Sequence, residues 1–357
     1  MTDHELRIKS LQDILREKRI DALFVGAIEN IRYLTGFTGS SGFMLITQDR
    51  GLFFTDFRYK EQSVSEVEGC DIGIEKGSRI ALVRRLVKMS GIRRLGFETS
   101  LHYDFYTLLC RLPVTLAPVQ NAVERLRRVK DATEISAVAI AIKRAETAFL
   151  KIKPFIKAGV REKAISLKLE EQLKREGCKH AAFDIIVASG ANSAKPHAQP
   201  TEKKIEKGDF VIIDWGGEAG GYYSDMTRTL LMAGDGLREK IKIYEVVNKA
   251  RQKAISKVRA GVRTQDIDAA ARETIKKAGY GIFFGHGTGH GVGLEVHEAP
   301  RVSRNGGDRI SDGFVFTIEP GIYIPGLGGV RIEDMVTLNG RKCILMTSLS
   351  RELEIIK

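Results

Sequence analysis

Two apolar, strand-like runs in the second half of this chain each carry, at or next to the last position, a carboxylate that a hydrophobic core should exclude. They are Phe210-Val211-Ile212-Ile213-Asp214-Trp215 and Phe314-Val315-Phe316-Thr317-Ile318-Glu319. An unpaired charge in such a place costs roughly several kcal/mol, so a fold that buries these runs must neutralise it. Asp225, His290 and Glu333 stand in similar Gly-rich or β-branched surroundings further along. Four grouped carboxylates repel one another unless cations sit between them. Two divalent ions would balance four negative charges with four positive ones.

The length of 357 residues allows two domains, since one core seldom grows past ~250–300 residues. With 43% hydrophobic and 29% charged residues the composition is that of an ordinary globular protein. The polar start Met1-Thr2-Asp3-His4-Glu5 lacks the basic-then-apolar profile of a secretory signal, and no apolar run approaches the ~18 residues of a membrane span. A cytoplasmic protein with no membrane partner is expected. Cys70, Cys110, Cys178 and Cys343 form no Cys-x-x-Cys pair and read as structural thiols. The net charge of +12 raises the question of nucleic acid. Its Lys and Arg residues, however, are interleaved with acids, as Glu162, Glu170, Glu171 and Glu176 are in the Arg161–Arg175 region, which describes a solvated face. No nucleic-acid partner is expected.

From residue 1 to about 121, short apolar strands alternate with helical patterns, which argues for an α/β domain. Leu11, Ile14, Leu15 and Lys18 have helical spacing, Ala22 to Val25 reads as a strand, and Gln48-Asp49-Arg50-Gly51 joins two strands as a hairpin. Ser78 to Met89 is an amphipathic helix, with a strand at Leu95 to Phe97. The Thr38-Gly39-Ser40-Ser41-Gly42 loop does not fit a nucleophile elbow. Pro118 breaks the pattern in Leu116 to Asn121, placing the boundary there, so that residues 122–357 form a second domain.

Asp131 and Glu134 form a capping box that starts a helix running to about Lys153, where Pro154 stops it. A helix from Arg161 to Glu176 ends at Gly177. Helices at about Leu237–Val258 and Thr264–Lys277 mirror this pair, and each pair precedes a carboxylate-bearing hairpin. The two halves read as a faint internal duplication, arranged about a pseudo-two-fold axis.

In the first hairpin, a turn centred between Glu218 and Ala219 would set Asp214 opposite Tyr223 and Asp225 opposite Ile212. Both acids then share a face, whereas a one-residue slip would part them. Glu333 lies two residues from Arg331, which alone would suggest a simple ion pair. His286 and His290 have the spacing of a helical metal pair, but the glycines between them disfavour helix. No His-Glu-x-x-His motif and no strand-fed phosphate loop is present.

At these residues the chain resembles the creatinase/aminopeptidase P/prolidase family of metallopeptidases. The segments that carry the likeness are Asp214-Trp215-Gly216, Ser224-Asp225-Met226-Thr227-Arg228, Gly287-Thr288-Gly289-His290, Ile318-Glu319-Pro320-Gly321 and Arg331-Ile332-Glu333-Asp334. The likeness spans nearly the whole chain. It implies an α+β pita-bread catalytic domain with a pseudo-two-fold internal repeat, preceded by a smaller α/β creatinase-like domain. It also implies two divalent metal ions per chain. Asp225 and Glu333 would bridge them, Asp214 would complete one ion, and His290 with Glu319 the other. The oxygen-rich set suits Mn²⁺, with Co²⁺, Zn²⁺ and Fe²⁺ left open.

By the same resemblance Glu319 accepts a proton, and His197 and His297 hold the substrate and the tetrahedral intermediate. Arg331 matches an arginine beside the bridging glutamate. The role of His286 stays open between shaping its loop and serving the site. The implied substrates are short proline-containing peptides, cut between an N-terminal residue and proline by a dipeptidase or an aminopeptidase P, and the implied assembly is a homodimer. Two alternatives share the fold: a methionine aminopeptidase, against which the extra N-terminal domain weighs, and a non-catalytic binding protein without stoichiometric metal.

Overall fold

The computed structural model describes residues 2–340 and 342–357 and divides into two compact units, Met1–Arg127 and Arg128–Lys357. In the first unit, α1 (Asp3–Glu17) opens on a capping box in which Thr2 and Glu5 exchange side-chain-to-backbone bonds. Along the chain follow β1 (Ala22–Val25), α2 (Ile28–Thr35), β2 (Phe43–Thr47), β3 (Gly51–Thr55), α3 (Lys60–Glu66) and β4 (Asp71–Ile74). Then come α4 (Arg79–Met89), β5 (Arg94–Glu98), α5 (Tyr103–Leu109), β6 (Thr115–Val119) and α6 (Ala122–Arg127). The strands form one mixed sheet in the order β4-β3-β2-β1-β5-β6. The wholly buried β1 lies inside it, where a continuous apolar run belongs.

The proline at 118, expected to break the chain into a linker, instead lies in β6, parallel to β5 at the sheet edge. An edge strand tolerates a residue with no N–H to donate. The chain then continues into α6, whose buried Arg127 donates to Asn30 Oδ1 at 2.8 Å. The first unit therefore extends to Arg127 rather than ending at residue 121.

In the second unit, α7 (Ala132–Ile152) has the Asp131–Glu134 capping box at its start and a 3₁₀ turn with Pro154 at its end. After it come α8 (Glu162–Arg175), β7 (Ile186–Ser189), β8 (Phe210–Trp215), β9 (Glu218–Ala219), β10 (Tyr222–Tyr223) and β11 (Met226–Met232). A second round follows with α9 (Arg238–Ile255), α10 (Thr264–Lys277), β12 (Gly289–Gly291), β13 (Glu298–Val302), β14 (Val315–Ile318), β15 (Gly321–Ile324), β16 (Gly328–Arg331) and β17 (Asp334–Asn339). The chain closes with β18 (Lys342–Leu345) and β19 (Ile355–Ile356). Two larger sheets result, β19-β11-β8-β7 and β13-β12-β14-β17-β18, with the two-stranded β10-β9 and β15-β16 as the hairpin tips. No helix among the described residues is long and apolar enough to cross a membrane.

A helix pair followed by a long hairpin thus occurs twice. The strongest trace of this in the sequence is not the acid spacing but an identical tetrapeptide, Ala158-Gly159-Val160-Arg161 and Ala260-Gly261-Val262-Arg263, before α8 and α10. Both copies fold alike. Gly159 N donates to Ile205 O and Gly261 N to Ile310 O, each at 2.8 Å, and Ile205 N and Ile310 N return bonds of 2.9 Å to Val160 O and Val262 O.

Each helix pair covers one face of a sheet. Val211, Ile213 and Trp215 of β8 join Val138, Ile142 and Phe149 of α7 and Ile165 and Leu169 of α8 in one core. Trp215 stacks on Phe149 at 4.5 Å, and its indole N–H donates to Ala145 O at 3.0 Å. Strand alternation then turns Asp214 to the opposite face.

Candidate active site

The first hairpin does not turn where its sequence suggests. Ala219 pairs with Tyr222 and Asp214 with Thr227, so the turn falls at Gly220-Gly221, both with positive φ (61° and 86°). Adjacent glycines accept the left-handed values that a two-residue hairpin turn needs, which Glu218 and Ala219 would adopt only under strain. The expected pairings of Asp214 with Tyr223 and Asp225 with Ile212 are therefore not formed. The displacement is even, so Asp214 and Asp225 still share a face, together with Thr227 and Thr229. Between stem and tip the backbones close up, for a Cβ on Gly216 would lie 1.8 Å from Ser224 O. Asp225 stands at this break and sends its N–H to Met335 Sδ at 3.3 Å.

The second hairpin repeats the device. Ile318 pairs with Asp334 in the stem and Gly321 with Arg331 in the tip, leaving Glu319 and Glu333 at the junction. Their N–H groups leave the ladder, Glu319 N for Thr288 O at 2.8 Å and Glu333 N for Thr227 O at 3.1 Å. The second of these bonds ties the two hairpins together.

The five residues singled out in the sequence converge. Ligand atoms of Asp214, Asp225 and Glu333 lie within 4.8 Å of one another, as do those of His290, Glu319 and Glu333, and those of Asp225, His290 and His297. His290 Nε2 is 3.5 Å from Asp225 Oδ2 and 3.6 Å from Glu319 Oε1. Its Nδ1 faces the Gly291 carbonyl at 3.1 Å, an acceptor only, which places the ring proton there and leaves Nε2 free to coordinate.

Arg331 does not pair with Glu333. The strand is interrupted between Arg331 and Asp334, so alternation does not carry across, and the guanidinium instead meets Asp214 Oδ2 at 2.6 Å. It also donates to Thr227 Oγ1 (3.1 Å), the Tyr323 hydroxyl (2.7 Å) and the Pro196 carbonyl (3.2 Å). Tyr323 in turn faces His286 Nε2 at 2.9 Å, and His286 Nδ1 faces Gly287 O at 2.7 Å. With Nδ1 protonated, Nε2 accepts from the tyrosine hydroxyl. His286 is thus connected to Asp214 through two side chains.

His297 is exposed, its ring 4.3 Å from that of His290, and His197 is exposed on the loop after the Gly190–Ala194 turn. Neither histidine is buried among the acids. The sequence reading missed Thr227, which donates to Glu333 Oε2 at 2.7 Å, Thr317, which accepts from His290 N at 3.1 Å, and Tyr323. Alternation along β11 gave a signal for Thr227; nothing local gave one for Tyr323.

The sequence profile of metallopeptidase family M24 matches residues 136–339, more than half of the chain, and that of the creatinase/prolidase N-terminal domain matches residues 7–129. The chain belongs to metallopeptidase family M24. It is 36% identical to the Xaa-Pro dipeptidase of Pyrococcus horikoshii, over 97% of this chain and 98% of that one. Among solved structures it resembles an Xaa-Pro dipeptidase from Bacillus anthracis, with a TM-score of 0.96 and 38% identity over 99% and 100% of the two chains. An X-Pro aminopeptidase from Thermotoga maritima matches with a TM-score of 0.87 and 36% identity over 96% and 100%.

The chemistry of M24 peptidases calls for divalent cations, and the acids of this chain fit them. Burial pushes Glu319 up to about 8, with Asp214 adding to the rise and Arg331 opposing it. Burial, then repulsion from neighbouring carboxylates, holds Asp225 and Glu333 well above the usual carboxylate range. Protein atoms alone therefore disfavour ionisation of Glu319, Asp225 and Glu333. Asp214 Oδ1 is buried without a hydrogen-bond partner, as expected of an atom aimed at a ligand. Burial, then His297, lowers His290 to about 4, keeping it neutral as coordination requires.

Proposed function

We propose that this M24 peptidase hydrolyses the bond between an N-terminal residue and proline in short peptides, using two divalent ions. The observation that carries the reading is the convergence of both hairpins on two ligand groups that share Glu333, with exposed His197 and His297 beside them. Asp214, Asp225 and Glu333 would hold one ion, and His290, Glu319 and Glu333 the other, with Asp225 near enough to His290 to bridge. Cations so held supply Lewis acidity and lower the pKa of water to near neutrality.

The remaining roles fall to the chain itself. Glu319, within the ligand group of His290 and Glu333, would take the proton of the attacking water and return it to the departing prolyl nitrogen. That nitrogen carries no hydrogen in the substrate, so it must gain one to leave as an amine. His297, its pKa lowered by partial desolvation, and His197 would steady the substrate carbonyl and the intermediate. Arg331 fixes Asp214. The oxygen-rich donors support Mn²⁺ over softer ions.

A methionine aminopeptidase is disfavoured by the creatinase/prolidase N-terminal unit, and a non-catalytic role by the family and the ligand set. Between dipeptidase and aminopeptidase P, one observation favours the dipeptidase. Arg301 lies opposite His290 in the β12–β13 ladder, so its exposed side chain rises from the ligand's face, where it could grip a free carboxylate. The free thiols support a cytoplasmic location, and the homodimer rests on the family resemblance. Hydrolysis of Ala-Pro and Ala-Pro-Ala by the Mn²⁺-loaded protein tests the reading. Faster cleavage of the dipeptide, lost in Arg301→Ala, is expected; preference for the tripeptide would make it an aminopeptidase P, and cleavage of neither would sink the proposal.

A further inference from the structure

Glu162, the first residue of α8, contributes no atom to the acid cluster, yet its side chain is fully buried and gathers donors from both ends of one loop. Oε1 accepts from Ser189 N (2.6 Å), Ser189 Oγ (2.8 Å) and Asn192 Nδ2 (3.2 Å), where β7 runs into the loop. Oε2 accepts from Thr201 N (3.0 Å) and Thr201 Oγ1 (2.6 Å), where the loop ends. One carboxylate thus closes the segment 190–200, which carries His197.

The middle of that loop is seated separately. Gly329 N of β16 donates to Ser193 Oγ at 2.8 Å, and a Cβ on Gly329 would lie 2.1 Å from Ser193 O. Arg331 holds the Pro196 carbonyl at 3.2 Å. Ala198 is buried against Ile186 and Ala188. Between these supports His197 remains exposed, so its position is fixed through its backbone. The nearest hydrogen-bonded side-chain anchor after Ala198 is Thr201, held by Glu162.

We propose that Glu162 is a positioning residue for the reaction, setting the place of His197 by clamping both ends of its loop. The inference rests on the reading of His197 as a substrate-holding residue. Each oxygen faces a backbone N–H, that of Ser189 or of Thr201, which can only donate, so both ends of the clamp need an accepting oxygen. Glutamine would present an amide N–H₂ to one end and release it.

The test uses the full-length, Mn²⁺-loaded protein with Ala-Pro as substrate. Glu162→Gln should lower kcat/KM about tenfold, chiefly through KM, while two ions per chain are retained. In a His197→Ala background the same change should alter kcat/KM by less than about twofold, because a residue acting through another has no effect once that other is gone. Thr201→Val, which removes a single donor and keeps the side chain's shape, should show the same dependence on His197 at about threefold and serves if the first variant folds poorly. Equal losses in both backgrounds, no loss in either, or loss of metal with Glu162→Gln would each overturn the inference while leaving the role of His197 intact. An unchanged kcat/KM in His197→Ala alone would instead overturn the reading of His197, and this inference with it.

Discussion

Glu333 occupies the position on which the other acids depend. It shares a ligand group with Asp214 and Asp225 and another with His290 and Glu319, and Thr227 orients its carboxylate from the neighbouring hairpin. On the proposed two-ion reading, removing Asp214 would weaken one ion, whereas removing Glu333 withdraws a donor from both. Glu333→Ala is therefore expected to lower the metal content after dialysis from about two ions per chain to near zero, read by elemental analysis. Retention of one ion would show that the two groups act independently. The residues around it differ in how far the sequence discloses them. Asp214 and Glu319 betray themselves because a charge at the end of an apolar run has no ordinary explanation. Tyr323 and Thr317 sit in strands where tyrosine and threonine are commonplace, and only their contacts distinguish them.

At the scale of the elements, the site depends on strands with two unlike faces. Trp215 shows the apolar face most clearly: it is fully buried, stacked on Phe149 and bonded to Ala145 O, directly after an acid that points the other way. Trp215→Ala should cost about 3–5 kcal/mol in urea unfolding of the loaded protein, since the cavity would open between β8 and α7. Two ions should still bind at saturating metal, because Asp214 faces away from the lost side chain. A variant of undiminished stability that had lost metal would mean the two faces are not separate.

The parity of the first hairpin was legible despite a misplaced turn, because any even displacement preserves the face. The capping box at Asp131 and the stop at Pro154 were legible because they are local rules. The edge strand containing Pro118 was not. Whether a proline ends a strand or lies at a sheet edge depends on which neighbours are present.

For the molecule as a whole, the buried acids couple stability to pH and to metal. In the metal-free protein Glu319 keeps its proton up to about 8 instead of its ordinary 4.5, and Asp225 and Glu333 shift the same way. The folded state then binds more protons than the unfolded one, so the stability present below pH 4.5 is lost as pH rises toward 8. His286 and His290, both lowered by burial to about 4 from 6.5, act in the opposite sense, but only below pH 6.5. From pH 6.5 to 8 the carboxylates set the sign. Each acid that stays protonated across this range removes on the order of 2 kcal/mol. Thermal unfolding in a chelator should therefore show Tm falling by roughly 4–8 °C over that interval, while the loaded protein, its carboxylates held ionised by cations, should show no such fall. A metal-free Tm that rises with pH would contradict the burial of these acids.

The sequence by itself determined which acids and histidine come together, the alternation that turns acids from core, the helix boundaries set by caps and glycines, and a duplication written in the repeated Ala-Gly-Val-Arg. Each of these follows from chemistry within a few residues, where backbone geometry leaves little choice. Tertiary structure alone decided that Arg331 holds Asp214 rather than Glu333, that Tyr323 connects it to His286, and that Glu162 clamps the loop of His197. Those contacts join residues far apart in the chain. The two hairpins meet because their breaks send Asp225 N to Met335 and Glu333 N to Thr227, and no local propensity encodes which partner a strand interruption will find.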